Sequence, residues 1–432
     1  MYRTLSGLLV CDLALQAGSG ERLPMADTLQ PRNAKEVEAA VQWLLAEGKA
    51  AEIVGHGSKR PIGRPAQTDL TLDLSALIGV TLYEPEELVL SANAATPLAE
   101  IEALVAAKGQ QLAFEPMDYA SVLGGVAGHG TIGGALAANL SGPRRIKAGA
   151  ARDHFLGFSA VSGRGETFKS GGRVVKNVTG YDLCKLIAGS WGTLAAMTEV
   201  TIKVLPAAET EETLLIRGLE PARAVEAMTS AMGSACDVSG AAHLPSEVAA
   251  VVPAVAGAGG GVTALRLEGF SPSVAHRRGA LQGLMKPFGD LAIIDAPVSG
   301  AFWQAVRDVT PFACSRNGIE RPLWRISTAP NRGAELGAAL AKRAGAQVLY
   351  DWAGGLIWLA LAASDDAGAA RIGPAVAATG GHATLIRAPA SVRAAIDVFA
   401  PQEAGLAALT KRVKEGFDPK GVLNPGRMWA GV

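Results

Sequence analysis

Residues 124–142 read GGVAGHGTIGGALAANLSG, a stretch that holds seven glycines. Glycine has no Cβ, so its backbone turns freely and approaches a ligand closely, and a stretch this rich in it builds neither a plain helix nor a plain strand. The segment reads as a loop, Gly128-His129-Gly130-Thr131-Ile132-Gly133-Gly134, followed by a short small-residue helix over 135–140. A second glycine turn, Gly55-His56-Gly57-Ser58-Lys59, follows the apolar pair Ile53-Val54, a strand running into a loop. Successive N–H groups in such a turn make a concave anion site, and Ser58 and Lys59 add a hydroxyl and a charge, so a pyrophosphate would fit. An ordinary turn would use the same residues. The turn is not a Rossmann fingerprint, because Arg60 stands where the third glycine is needed. Two anion-competent loops in one domain weigh against packing as the only reason for the glycines.

Around these loops the chain alternates short elements. Residues 31–48 carry Val37, Val41, Leu44 and Leu45 at helical spacing, with Gly48 as a stop. Strands are expected at 69–74 and 88–94, and a helix at 97–108 that opens on Pro97. Residues 155–161 and 166–170 flank SGRG as a hairpin, and TEVTIKVLP ends in a β-branched strand stopped by Pro206. A domain boundary is placed there, with a split of the first domain near 80–85. Over 207–400 helices (221–232, 272–286, 333–344) alternate with strands (262–268, 290–295, 323–328, 347–350, 355–361, 382–387), an α+β pattern with a mainly antiparallel sheet. Residues 401–432 form a tail whose turn-rich end, FDPKGVLNPGRMW, is expected to pack back on the chain.

The 432 residues fit two or three domains at roughly 150 residues each. Forty basic residues balance forty acidic ones, leaving no excess to neutralise phosphates and arguing against nucleic acid as a partner. Cys11, Cys184, Cys236 and Cys314 are scattered, which argues against an iron–sulfur or structural zinc site on this chain and fits a reducing compartment. The longest apolar run, 352–363, is too short to cross a bilayer, and the N-terminus does not read as a signal peptide. The expectation is a cytoplasmic chain without a transmembrane segment, with room for peripheral docking at the inner face of the membrane through a complex.

The motifs GHGS, TIGG, KNVTGYD, GSWGTL, EVTIKVLP and FDPKGVLNPG occur in this order along nearly the whole sequence. Together they resemble FAD-linked oxidases of the vanillyl-alcohol-oxidase class. Within that class GHGSK, KNVTGYDL, YDWAGG, GGHATL and the Asn-Pro-Gly tail are similar to the FAD-binding subunits (E subunits) of glycolate oxidases. The resemblance implies an α+β fold in which two subdomains hold FAD, with a second α+β cap-like domain. It puts Gly55, His56, Gly57, Ser58 and Lys59 at the pyrophosphate and Pro116, Gly130, Thr131, Ile132, Gly133 and Gly134 along the cofactor. Asn139 and Gly142 would lie nearby, Gly192 and Thr193 would approach the flavin, and Asn424 would close the site. Relatives that attach flavin covalently use a histidine in the first loop; that position is Ser58 here, with His56 two places earlier, so FAD is expected to be non-covalent. Trp191 stands where many relatives carry Glu. The implied partners are a catalytic flavin subunit and an iron–sulfur subunit, and the implied substrate is a small 2-hydroxy acid.

Oxidising such an acid needs a hydride acceptor, a base and a cation for the carboxylate. The His-rich cap motif of the related catalytic subunit is missing. His382, in GGHATL, and Arg325 and Arg387 are the candidates, although a satisfied strand histidine and solvated strand-edge arginines fit the same positions. A stand-alone D-2-hydroxy-acid dehydrogenase and a structural subunit that has lost FAD are the alternative readings. No metal site is expected.

Overall fold

A computed structural model describes residues 27–173, 180–314 and 321–432. Lys176, Asn177, Val178 and Thr179 of KNVTGYD, and Cys11, lie outside the described residues. Three larger sheets and one two-stranded pair, Gln110–Gln111 with Leu205–Pro206, organise the rest. The first is parallel, in the order Asp27–Leu29, Leu70–Asp73, Ala51–Val54, and the tail adds a parallel bridge from Leu423 to Ala51. The helix Ala34–Glu47 covers it with Val37, Ala40, Val41 and Leu44, the buried stripe that the 3.6-residue period selects. Asn33 caps its start by accepting from the Glu36 N–H at 3.0 Å, and Gly48 ends it at φ 63°.

The second sheet is antiparallel, in the order Val80–Glu84, Val89–Asn93, Ala195–Lys203, Phe155–Ser162, Thr167–Gly171. The third has eight antiparallel strands, in the order Leu291–Ile294, Thr210–Arg217, Val262–Gly269, Gly240–Leu244, Gln347–Asp351, Leu356–Ala360, Leu323–Ser327, His382–Arg387. Two of these, Thr210–Arg217 and Gly240–Leu244, were not expected from sequence. Gly240–Leu244 (GAAHL) has no β-branched residue and takes its place from pairing with Val262–Gly269, where tertiary context overrides propensity. The helices Ala296–Arg307 and Ala404–Phe417 were also unread.

The second glycine stretch corrects the expected helix boundary. The helix begins at Ile132 and runs to Ala137, so Ile132, Gly133 and Gly134 are its first turn rather than loop. The reason is local: the Thr131 hydroxyl accepts from the Gly134 N–H at 3.2 Å and caps the turn.

A buried ion network ties the third sheet to the rest of the chain. Arg266, on the central strand, donates both ends of its guanidinium to Glu115 at 2.9 Å, and Arg144 bridges Glu115 and Glu268. Burial opposes the charge on Glu115, but Arg266 and Arg144 hold its carboxyl below the usual range. Among the described residues no helix is long and apolar enough to cross a membrane.

A cofactor cleft and a second cavity

Both glycine turns come to one cleft. Gly55 to Lys59 form one wall, and Thr131, Gly133 and Gly134 the other. The His56 and His129 rings meet edge-on at 5.9 Å, and the Lys59 ammonium lies against Gly134, where an added Cβ would stand 3.3 Å from it. Gly133 is needed for packing: its N–H donates to the Ala94 carbonyl at 2.8 Å, and a Cβ there would come within 2.6 Å of that oxygen. Gly57 holds the first turn at φ 71°.

The tail supplies a third wall. Asn424 accepts from the Ile53 N–H at 2.8 Å and donates to the Trp191 carbonyl at 2.8 Å, so one amide joins the first sheet to the GSWGT turn. Gly192 follows Trp191 in that turn, and its α-carbon faces Asn424 so closely that a Cβ would stand 2.7 Å from the amide nitrogen. Arg427 braces the first loop by donating to the Lys59 carbonyl at 2.9 Å. Lys414, buried with Asp418, donates to the carbonyls of Thr193 and Leu423 and fixes the tail beneath the cleft.

The cleft has mainly apolar walls, with Ile53, Leu74, Ala95 and Met197 among them. Lys59, Arg60 and Arg427 all line it, and Glu52 pairs with both arginines. Burial, opposed by Asp118 and assisted by Arg427, lowers the Lys59 ammonium to about 8. Its contact in the structure is the Ser58 hydroxyl at 3.3 Å, and it has no carboxylate partner among the described residues. A buried cation without a carboxylate partner, set between a glycine turn and a second glycine-lined wall that lets a ligand approach the backbone closely, suits a diphosphate. The residues present therefore fit FAD.

Of the residues expected along the cofactor, Gly55, His56, Gly57, Ser58, Lys59, Thr131, Gly133, Gly134, Gly192 and Asn424 line this cleft. Others do not. Ile132 is buried in the core, and Gly130 is buried with its carbonyl accepting from the Leu98 N–H at 2.8 Å. Pro116 is buried beside Met117, away from these walls. Thr193 is buried and donates its hydroxyl to Ser190. Gly142 is a crossing point: its carbonyl accepts from the Trp352 indole at 3.0 Å, and a Cβ would come within 2.5 Å of the Glu115 carbonyl. Asn139 lines a second cavity instead.

That second cavity, of about 570 Å³, shares Ala138 and Trp191 with the cofactor cleft. The alternation of the last sheet explains its wall. Ser327 pairs with His382 and Arg325 with Thr384, and directly opposed residues point to the same face, so all four look into the cavity. Arg387 lies beyond the register shift at Leu323, outside that count. Its guanidinium turns away and donates to the carbonyls of Arg321, Val122 and Phe312, which makes it a buried strut and removes it from the candidates that face this cavity.

Arg325 rests on the Trp352 ring, with its guanidinium carbon 5.0 Å from the centroid; Arg145 lies 4.2 Å from the same centroid. Burial lowers the pKa of Arg325, and Arg145 adds to the effect. Burial, then Arg325 and Arg145, lower that of His382. Burial pushes the Tyr119 phenol, also on this wall, up to about 12. Trp191, Arg145, Tyr119, Trp352 and Arg427 were missed as site residues from sequence. Arg427 follows the Asn-Pro-Gly motif by one position and was within reach of that signal; Arg145 and Tyr119 carry no local pattern.

This fold and cleft define an FAD-linked oxidoreductase of the vanillyl-alcohol-oxidase type, and an FAD binding domain family matches residues 26–171. The chain is 34% identical to glycolate oxidase subunit GlcE of Escherichia coli over 379 residues, 88% of this chain and 92% of that protein. It belongs to the family of GlcE-type glycolate oxidase subunits. It is also 35% identical to a D-lactate dehydrogenase of Archaeoglobus fulgidus over 141 residues, 31% of this chain and 32% of that one. The structure of p-cresol methylhydroxylase with substrate bound shares the fold, with a TM-score of 0.69 at 12% identity over 94% of this chain and 88% of that one. FAD is the cofactor.

Proposed function

We propose that this chain is the non-covalent FAD-binding subunit of a glycolate oxidase, oxidising glycolate to glyoxylate together with a catalytic flavin subunit and an iron–sulfur subunit. The observation that carries the reading is the shared wall of Ala138 and Trp191, which sets a cation-lined cavity directly beside the cofactor cleft. Bound FAD supplies a two-electron acceptor. The rest falls to this chain. Arg325 holds the substrate carboxylate with a planar fork, and Trp352 keeps that fork flat. His382 takes the hydroxyl proton. Its ring is exposed to the cavity, and partial desolvation with the two arginines favours the neutral form that a base requires; the arriving carboxylate offsets those cations when the proton is transferred. The scattered cysteines leave electron export to a cluster on another subunit.

The test is anaerobic titration of the purified, FAD-loaded chain with glycolate and with D-lactate, followed by a dye acceptor with and without the partner subunits. Glycolate is expected to bleach the flavin absorption, with sustained turnover only when the partners are present. Brisk turnover by the chain alone would replace this reading with a self-sufficient D-2-hydroxy-acid dehydrogenase. A flavin that no 2-hydroxy acid bleaches would refute both.

A further inference from the structure

Tyr119 is only 4% exposed and lines the second cavity, yet its phenol oxygen has no hydrogen-bond partner among the described residues. A buried tyrosine hydroxyl ordinarily finds one. Tyr83, less buried, does, donating to Gln110 at 2.7 Å. The loop that carries Tyr119 is tied on both sides. Its neighbour Asp118 accepts from the N–H groups of Ala120 at 2.9 Å and Gly128 at 2.8 Å, and donates its own N–H to the Asp308 carboxylate at 2.9 Å. Glu115, just upstream, is gripped by Arg266 and Arg144, and the Tyr119 carbonyl accepts from the Leu123 N–H at 2.9 Å. A donor fixed in place and left unmatched by the protein is preorganised for a ligand. The loop also touches both sites: the charge of Asp118 acts on Lys59 in the cofactor cleft, and that of Arg325 acts on the Tyr119 phenol in the cavity.

From this geometry we infer that Tyr119 is a catalytic residue of the oxidation, donating its phenol hydrogen bond to the oxygen on the reacting carbon. The inference rests on the reading of the second cavity as the substrate site. Glycolate carries a carboxylate and a hydroxyl. The fork of Arg325 serves the carboxylate with paired N–H groups. His382 takes the hydroxyl proton, the hydrogen on carbon leaves as hydride for bound FAD, and the C–O bond becomes the carbonyl of glyoxylate. As the proton departs, negative charge gathers on the α-oxygen, which neither Arg325 nor His382 then serves with a donor. The phenol supplies that donor. Burial pushes it up to about 12 against the pull of Arg325, so it keeps its proton through neutral pH. The charge it faces is larger in the transition state than in the bound acid, so the bond speeds the step more than it tightens the substrate.

The experiment uses Tyr119→Phe, which keeps the ring and removes one oxygen. The FAD-loaded variant should match the wild type in flavin content and thermal midpoint; a lowered midpoint would make the phenol a structural group and overturn the inference. Two unreactive acids then separate the ends of the site, their binding read by perturbation of the flavin spectrum. Oxalate places charged oxygens where glycolate has its hydroxyl and should bind the variant about tenfold or more weaker, whereas acetate has no oxygen there and should bind both proteins alike. In anaerobic rapid mixing with glycolate the rate of flavin bleaching should fall about 100- to 1000-fold, as loss of one oxyanion donor does, with glycolate affinity changed far less. Equal weakening of oxalate and acetate would move the phenol to the carboxylate, and an unchanged oxalate affinity or bleaching rate would leave it without a role; each overturns the inference and leaves the glycolate reading standing. A wild-type flavin that responds to none of these acids overturns the substrate-site reading and this inference with it.

Discussion

Replacing Lys59 by methionine removes the cation of the cofactor cleft that, unlike Arg60 and Arg427, has no carboxylate partner among the described residues, while keeping the length of the aliphatic stem. The proposal that its ammonium donates to the diphosphate of bound FAD puts a hydrogen bond to a charged group at stake, and such a bond contributes about 1.5–3 kcal/mol. The expected loss is about 10- to 150-fold in FAD affinity, at about 1.4 kcal/mol per tenfold. The pH dependence tests the same atom separately. Without cofactor, burial lowers the ammonium to about 8, and a bound diphosphate raises it, so binding takes up a proton once the pH exceeds about 8. Below that value Lys59 is already charged and affinity should be level. Above it, affinity should fall by up to tenfold per pH unit until the pH passes the higher value of the bound form. Fluorescence quenching of FAD by apoprotein, measured on both sides of pH 8, gives both quantities. If Lys59→Met binds FAD within twofold of the wild type, or keeps the alkaline fall, Lys59 does not face the diphosphate and the placement of the cofactor is wrong.

Two further substitutions address the frame around the cleft. Gly133→Ala drives a Cβ into the Ala94 carbonyl and should cost about 1–3 kcal/mol of stability, seen as a lower thermal midpoint with weaker FAD retention; an unchanged midpoint would mean the backbone there yields freely. Glu115→Gln leaves Arg266 buried with only Glu268 nearby and should cost about 3 kcal/mol in denaturant unfolding, because removing one partner strands the other charge. Glu268, held down to about 2 despite its burial, chiefly by Arg266 and Arg144, gives the wild type stability that is fully present above the ordinary carboxylate value of 4.5 and is lost as the pH falls towards 2. Acid unfolding with no such loss in that window would count against the network.

The sequence determined the local pieces by itself. Helix Ala34–Glu47 follows from the 3.6-residue period of Val37, Val41 and Leu44 between Asn33 and Gly48, and the two glycine turns follow from residues that tolerate little else. The motif order also carried the resemblance to FAD-linked oxidases, because the chemistry of holding a diphosphate is written in short contiguous loops. Only the tertiary structure decided which residues share a wall. Asn424 reaches Ile53 and Trp191 from the far end of the chain, and Arg145 and Arg325 stand against the same Trp352 ring although 180 positions separate them. Strand pairing separated Arg325 from Arg387, two arginines of equal standing in the sequence: the first lies in the regular ladder on the cavity wall, and the second, past a register shift at Leu323, enters a nest of carbonyls. Local preferences extend over a turn or two of chain, whereas a site is assembled by sheet pairing and burial, which act between residues whose separation in sequence carries no signal.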